Sequence, residues 1–497
     1  MSLHAQLSPE AQARLQAQRR NSTISSIIIS VLVLVLVGLV LAFILLPPLL
    51  KESQVIVSYQ SNANTEEKVE SKKLTNSVER KPSAPSSAMS RVIAANTTSP
   101  TAVPVPEIDI PEPSLDFGNG DDFGDGWGSG GDGGGGGFGA IPATMAKRCS
   151  PEDRMQRLTE SGGTPQCEDA VVKGLDWLKN TQHADGSWGG KYKSSDTGFA
   201  ILAFLGHCET PLSEKYGDTV LKGITWLVDL GMKQNGRLNI SGEVNPQPYE
   251  HAIATYAIGE SATFCSQLGI NVPNLSEIAQ KAGQFIIDHQ HERSGGWDYG
   301  YNIDNDRGGD LSVSAWQIQA LKACKHTGID FKNMDRAMRK ALDYVASCQI
   351  KGEGGFGYRP SEAHRTPSGY ATLTGAGMLA FQMWGKPSVS EVRNGAKYIR
   401  QNSKFDYNGV RADLYAHYYE SQAMIARGGE DWKAYNAMFR DQVLGGQEQD
   451  GSWKVPGGGK NDAHAADSYG DRHYRTCLCV LMLESYYRFL PATGEGH

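Results

Sequence analysis

The chain has 497 residues, a formal net charge of −7 and a pI near 6.0. That balance, with no basic stripe interleaved with aromatic residues, points away from a nucleic-acid partner. All eight cysteines lie at or beyond residue 149.

Residues 1–24 form a polar tail that becomes basic at Arg14, Arg19 and Arg20, and from Ser25 to Leu46 the sequence is uncharged and mostly apolar, stopping at Pro47-Pro48. A run of about 20 such residues is long enough to cross a bilayer. A secretory signal has a shorter apolar core and a small-x-small cleavage site, and neither is present. An uncleaved, single-pass transmembrane helix is therefore expected at residues 25–46, which makes the membrane the first implied partner. Arginines before the span, set against Lys51-Glu52 after it, place the N-terminus in the cytoplasm. The rest of the chain is then outside the inner membrane, in the periplasm of a Gram-negative cell.

Residues 51–145 are rich in Ser, Asn, Thr, Glu and Lys, then in Pro, then mostly in Gly from Gly118 to Gly139. Such a segment has too little apolar surface to offset chain entropy and is expected to be a disordered linker. As a flexible coil it reaches roughly 50–60 Å. Asp121, Asp122, Asp125 and Asp132 lack the regular period of a calcium-binding repeat. An anchor followed by a Pro-rich spacer also resembles TonB-type energy transducers. Those carry a histidine within the span, whereas the polar residues here are serines, so that role is not expected.

The folded domain, 146–493, is organised by a repeat. Gln182-His-Ala-Asp185-Gly186-Ser187-Trp188 returns as Gln447-Glu-Gln-Asp450-Gly451-Ser452-Trp453, and weaker copies run from Gln290 to Trp297 and from Gln349 to Phe356. The gap between the second and third marks is about half the other two, so degenerate copies are expected near Leu238 and Tyr407. Six units of roughly 50 residues then span Cys167 to Pro491. In the first unit Val171, Leu175 and Leu178 follow helical spacing, and a second apolar helix runs from an Asp196 cap to Gly206. Asp-Gly and Gly-Gly between the two supply the positive-φ positions of a tight reversal. Each unit reads as a helix hairpin whose turn is closed by an aromatic residue, making the domain all-α.

Lys173-Gly174, Trp177, Gln182 and Gly186-Ser187-Trp188 resemble the QW repeat of squalene and oxidosqualene cyclases, which the β subunits of protein prenyltransferases share. The resemblance implies an α/α toroid of about six helical hairpins, with inner helices in a ring and a cavity open at one end. The alternative is an open helical solenoid. Near-identical first and last phrases favour closure, since solenoid ends carry divergent caps.

Aligning the inner helices by their small-apolar pattern places Asp196, Glu250, Ser312, Leu373, Ala416 and Arg475 in one layer, followed by Thr197, His251, Val313, Thr374, His417 and Thr476. In a toroid the first layer rims the mouth. Asp196, Glu250, His251, Asp310, Ser312, Trp316, His417 and Arg475 are thus the candidate ligand-binding residues. The same residue types at helix starts also serve as N-caps, which is the bland account of Asp196, Ser312 and Thr374.

The chemistry that the resemblance implies is incomplete. The cyclases protonate an alkene with an Asp-x-Asp-Asp-Thr-Ala motif, and the nearest fragments here are Asp196-Thr-Gly and Asp304-Asn-Asp306. The Asp-x-Cys element of the zinc-dependent prenyltransferases matches Asp310-Leu-Ser312, with serine for cysteine. Their His-Thr-Cys-x-Cys element matches Arg475-Thr476-Cys477-Leu478-Cys479, with arginine for histidine. A guanidinium cannot be a zinc ligand and a neutral hydroxyl is a poor one. No metal and no cofactor are therefore expected. The Gly-Cys-Gly-Glu-Gln segment of the related thioester domains is absent as well.

Two readings of function follow. The first is a non-catalytic module binding an apolar or peptidic ligand or a periplasmic partner. The other is a terpenoid or lipid enzyme whose acid is Asp196, Glu250 or His251, recognisable by a carboxyl in an apolar pocket. A structural envelope protein is a third reading if side chains fill the cavity. In an oxidising compartment Cys149 could bridge Cys167, whereas Cys477 and Cys479 point to different faces of one helix and the other cysteines read as core.

Overall fold

In a computed structural model the described residues are 148–360, 370–409, 412–459 and 471–488. The tail 1–24, the expected span 25–46 and the linker 51–145 lie outside them. Among the described residues no helix is long and apolar enough to cross a membrane.

A short leader helix, α1 (Pro151–Glu160), precedes six hairpins. Their first helices are α2 (Pro165–Asn180), α4 (Gly217–Lys233), α6 (Leu275–Asp288), α8 (Met334–Ser347), α10 (Ser390–Asn402) and α12 (Gly429–Gly445). Their second helices are α3 (Lys193–Gly206), α5 (Gln247–Gln267), α7 (Leu311–His326), α9 (Thr374–Met383), α11 (Leu414–Arg427) and α13 (Arg472–Arg488).

Sequence pattern decides which set is inside. On α8 the apolar residues Ala337, Met338, Ala341, Leu342 and Val345 return at helical spacing, and the remaining face is largely charged. Such a helix buries one stripe. On α5 and α7 nearly every residue is buried, as a helix enclosed on all sides requires. Each of these inner helices packs on its predecessor and its successor, and the sixth, α13, packs on the first, α3. The ring is closed: the domain is an α/α toroid.

The repeated phrase is the joint of this ring. The Gln side chain donates to the carbonyl of its own turn's glycine and to a carbonyl in the first turn or two of the next outer helix. Gln182 reaches Gly186 and Thr219, both at 2.9 Å, and Gln290 reaches Gly295 and Ala337, both at 2.7 Å. Gln349 does the same with Gly354 and Glu391. Gln447 donates to Gly451 at 3.0 Å and to Ala170 at 2.8 Å, in the first outer helix α2, so the last joint is made like the others. The indole N–H of Trp188, Trp297 and Trp453 adds a second bond to a carbonyl in the last turn of its own outer helix, at Leu178, Ile286 and Val443, each of which also accepts from a backbone N–H at the cap. Leu238 and Tyr407 occupy the turns where degenerate copies were expected, and both are buried.

Three details differ from the sequence reading. Helix α3 begins at Lys193, so Asp196 sits in its first turn and is not its cap. The third unit is displaced by one residue. The backbone N–H of Trp188, Phe356 and Trp453 donates to Thr197, Thr374 and Thr476, but that of Trp297 donates to Ser314, not to residue 313. Third, Cys149 is bonded to Cys208 and not to Cys167, which is a buried free thiol beside Thr164. Chain folding brings the end of α3 back to the leader, a proximity with no local sequence signal.

Candidate functional site

All six inner helices start at the same end of the ring, and this end gathers the aligned polar residues. Asp196 lies in the first turn of α3 with 6 % of its surface exposed. Its carboxyl rests against Gly189, where φ is 75° and a Cβ would come within 1.8 Å of Oδ2. Only glycine leaves that seat open. Burial drives the Asp196 pKa up to about 8, the charges of Asp471 and Glu250 add to the effect, and the Gly190 N–H opposes it. Asp196 is therefore a protonated acid at neutral pH. The His473 ring donates to the Asp196 carbonyl at 2.8 Å, fixing this turn to α13.

Glu250, on α5, accepts from the Ser194 hydroxyl at 2.9 Å and from the N–H groups of Ile240 and Ser241, both at 3.2 Å. Burial raises its pKa against these bonds. On the far side a relay runs from the Tyr249 hydroxyl to Ser312 Oγ at 2.7 Å and from Ser312 Oγ to Asp310 Oδ1 at 2.5 Å. Arg307 holds the other Asp310 oxygen at 2.5 Å and Asp298 at 3.1 Å. Tyr415 donates to the Ser312 carbonyl at 3.1 Å.

Below this rim the aromatic residues meet across the ring axis. Trp316 receives the edge of Phe199 at 5.3 Å and stacks on Tyr418 at 5.3 Å, with Tyr419 at 5.4 Å. Tyr474 lies 5.1 Å from Phe199. These contacts join α3, α7, α11 and α13, so Trp316 belongs to an aromatic floor under the polar rim.

Three candidates face elsewhere. His251 accepts from the Leu238 N–H at 2.9 Å and donates to the Ala282 carbonyl at 3.2 Å. Burial lowers its pKa to about 3, so it is a neutral brace for the second turn. His417 stacks on Phe405 at 4.1 Å and lies 2.9 Å from the Tyr435 hydroxyl, against outer helix α12. Arg475 donates from Nε to the Trp453 carbonyl at 2.6 Å. Asp196, Glu250, Asp310, Ser312 and Trp316 thus gather at and just below this end of the ring, all nearly buried, while His251, His417 and Arg475 support turns.

The alignment overlooked Tyr249, Tyr415 and Tyr474, each one residue before the layer, and Asp471, which precedes α13. The tyrosines were visible as a pattern at one fixed offset. Asp471 stands where Asp310 and Asp413 stand, at the residue before an inner helix.

The prenyltransferase zinc set does not fit. Asp310 is engaged by Ser312 and Arg307, Arg475 is turned to the Trp453 turn, and the two lie on the third and sixth helices of the ring. The double variant Ser312→Cys with Arg475→His is accordingly expected to bind no stoichiometric zinc, as elemental analysis would read. One zinc per chain would show that the two residues come together.

No family model matches the chain, and no curated protein matches it. Among solved structures it is similar to a variant of the type II terpene cyclase MstE from Scytonema in complex with geranylgeranyl dihydroxybenzoate. The identity is 12 % and the TM-score 0.39, over 65 % of this chain and 96 % of that one. It is also similar to an inactive variant of the α-1,6-mannanase GH76A of Salegentibacter sp. HEL1_6 in complex with α-1,6-mannotriose. There the identity is 9 % and the TM-score 0.46, over 65 % and 99 %. These likenesses concern the backbone alone.

Proposed function

We propose that this chain is a membrane-anchored, extracytoplasmic toroid of the squalene-cyclase and prenyltransferase repeat type that acts on a ligand in its mouth as a Brønsted acid through Asp196. The observation that carries this reading is a buried carboxyl, protonated at neutral pH, near the exposed Asp471. A carboxyl that keeps its proton at neutral pH is suited to donate it to a ligand. Glu250 and the Tyr249–Ser312–Asp310 relay orient polar groups of the ligand above the packed aromatic residues around Trp316. The disulfide Cys149–Cys208 supports an oxidising compartment, in agreement with the anchor expected at residues 25–46. Reporters fused after Lys51 are expected to be active only in periplasmic form, and activity of a cytoplasmic reporter there would reverse the topology.

A non-catalytic binding module is the second reading. The absent Asp-rich motif and the broken zinc set favour it. Mass spectrometry of small molecules that co-purify with the wild type and with Asp196→Asn separates the two. An acid catalyst leaves an unreacted compound enriched in the variant and missing from the wild type. A binding module retains the same compounds in both, which would remove Asp196 from any catalytic role.

A further inference from the structure

Arg148 belongs to the leader, yet it is 0 % exposed at the opposite end of the ring, among residues from the later turns of the inner helices. Its guanidinium lies 5.0 Å from the Phe264 ring, and Nη2 is 3.7 Å from Glu260 Oε2. Nε, Nη1 and Nη2 have no hydrogen-bond partner. A guanidinium has five N–H donors, and burying it with them unmet is strongly unfavourable. Charge compensation comes from Glu260, shared with Arg488 at 2.8 Å, and from Glu484, buried with neither carboxyl oxygen hydrogen-bonded. The guanidinium donors themselves gain no hydrogen bond in this seat.

Bonds from adjoining segments of the same chain hold the leader there. The Arg148 carbonyl accepts from Arg154 Nη1 at 2.8 Å, and Arg154 also bonds Glu168 at 3.1 Å and the His207 carbonyl at 3.4 Å. The next residue, Cys149, is joined to Cys208, just past the end of α3. Two residues before Cys208, at Gly206, a Cβ would come within 1.9 Å of Glu484 Oε2. The covalent tie and the buried charges thus share one helix end. Cys149 and Cys208 are half-buried, which leaves their bond within reach of a dithiol.

We infer that the leader is a disulfide-locked plug: the Cys149–Cys208 bond keeps Arg148 seated, and its reduction releases the leader and opens the closed end of the ring onto Glu260, Glu484 and Arg488. The reductant is a dithiol of the oxidoreductase class. Its thiolate attacks one sulfur to give a mixed disulfide and its second thiol resolves it. Two electrons and two protons pass to Cys149 and Cys208, which leave as thiols, while the dithiol closes to its own disulfide.

Amide hydrogen exchange of the full chain in detergent, with and without dithiothreitol, tests this. Reduction is expected to speed exchange over residues 148–160 at least tenfold, while the turns at Trp188, Trp297 and Trp453 stay protected. Arg148→Met, which puts an apolar side chain in the same seat, is expected to keep the leader protected even when reduced. A wild-type leader that stays protected after reduction would overturn the proposal. So would simultaneous loss of protection in all the turns, which would make the disulfide a plain staple of the whole domain.

Discussion

Gly451→Val is expected to destabilise the entire ring, shifting its single unfolding transition to much lower denaturant. Gly451 has φ 93°, and a Cβ there would sit 2.2 Å from the Lys173 carbonyl oxygen. A β-branched residue at positive φ, pressed into backbone, costs roughly 3–5 kcal/mol, a large part of the about 5–15 kcal/mol that stabilises a domain. The effect spreads because Gly451 belongs to the last repeat and Lys173 to the first, and Gln447 bonds Ala170 across the same joint. In an open solenoid the damage would be confined to the terminal repeat. The control is Gly445→Ala, which meets no atom within 4 Å; at this helical position it changes stability by about 1 kcal/mol or less. Denaturation followed by circular dichroism reads both variants. A Gly451→Val protein that melts like the wild type, or loses only one repeat's helicity in a separate early step, would mean that the ring does not depend on its closure.

Asp196→Asn is expected to make the protein more stable at alkaline pH while abolishing the action on a ligand proposed above. A buried carboxyl whose folded pKa is about 8, against an ordinary value of 3.8, binds its proton more tightly in the folded state. Its contribution is complete below the unfolded pKa, falls as pH rises from about 4 to 8, and is gone above that. The difference corresponds to stability on the order of 5 kcal/mol at most. Asparagine keeps the shape and an acceptor for the Gly190 N–H but cannot ionise. The wild type should therefore lose stability between pH 4 and 8 relative to the variant, so the variant's relative advantage is greatest at the alkaline end. Parallel melting curves across this range would show that Asp196 is ionised in the folded state.

Much of the ring was legible because its joints are written locally. Gln182 and Trp188 lie six residues apart, and each bonds atoms of the same turn or of the next helix. Closure was legible for the same reason, since a joint between distant repeats uses the same phrase. The site was less so. Alignment found Asp196, Glu250 and Ser312, but side-chain direction decides function. One residue of displacement in the third unit turned Ser314 into the turn partner and left Ser312 facing Tyr249. Arg475 shares the layer of Asp196, yet its longer side chain reaches back to Trp453. The Cys149–Cys208 bond was invisible because it depends on where α3 ends relative to the leader, which six helix packings determine together.

The protonated state proposed for Asp196 is tested directly by infrared difference spectroscopy between the wild type and Asp196→Asn. A protonated carboxyl band belonging to Asp196 should be present at neutral pH and disappear with a midpoint near 8. A band already lost near pH 4 would mean that Asp196 is an ordinary carboxylate and that the mouth holds no proton to donate.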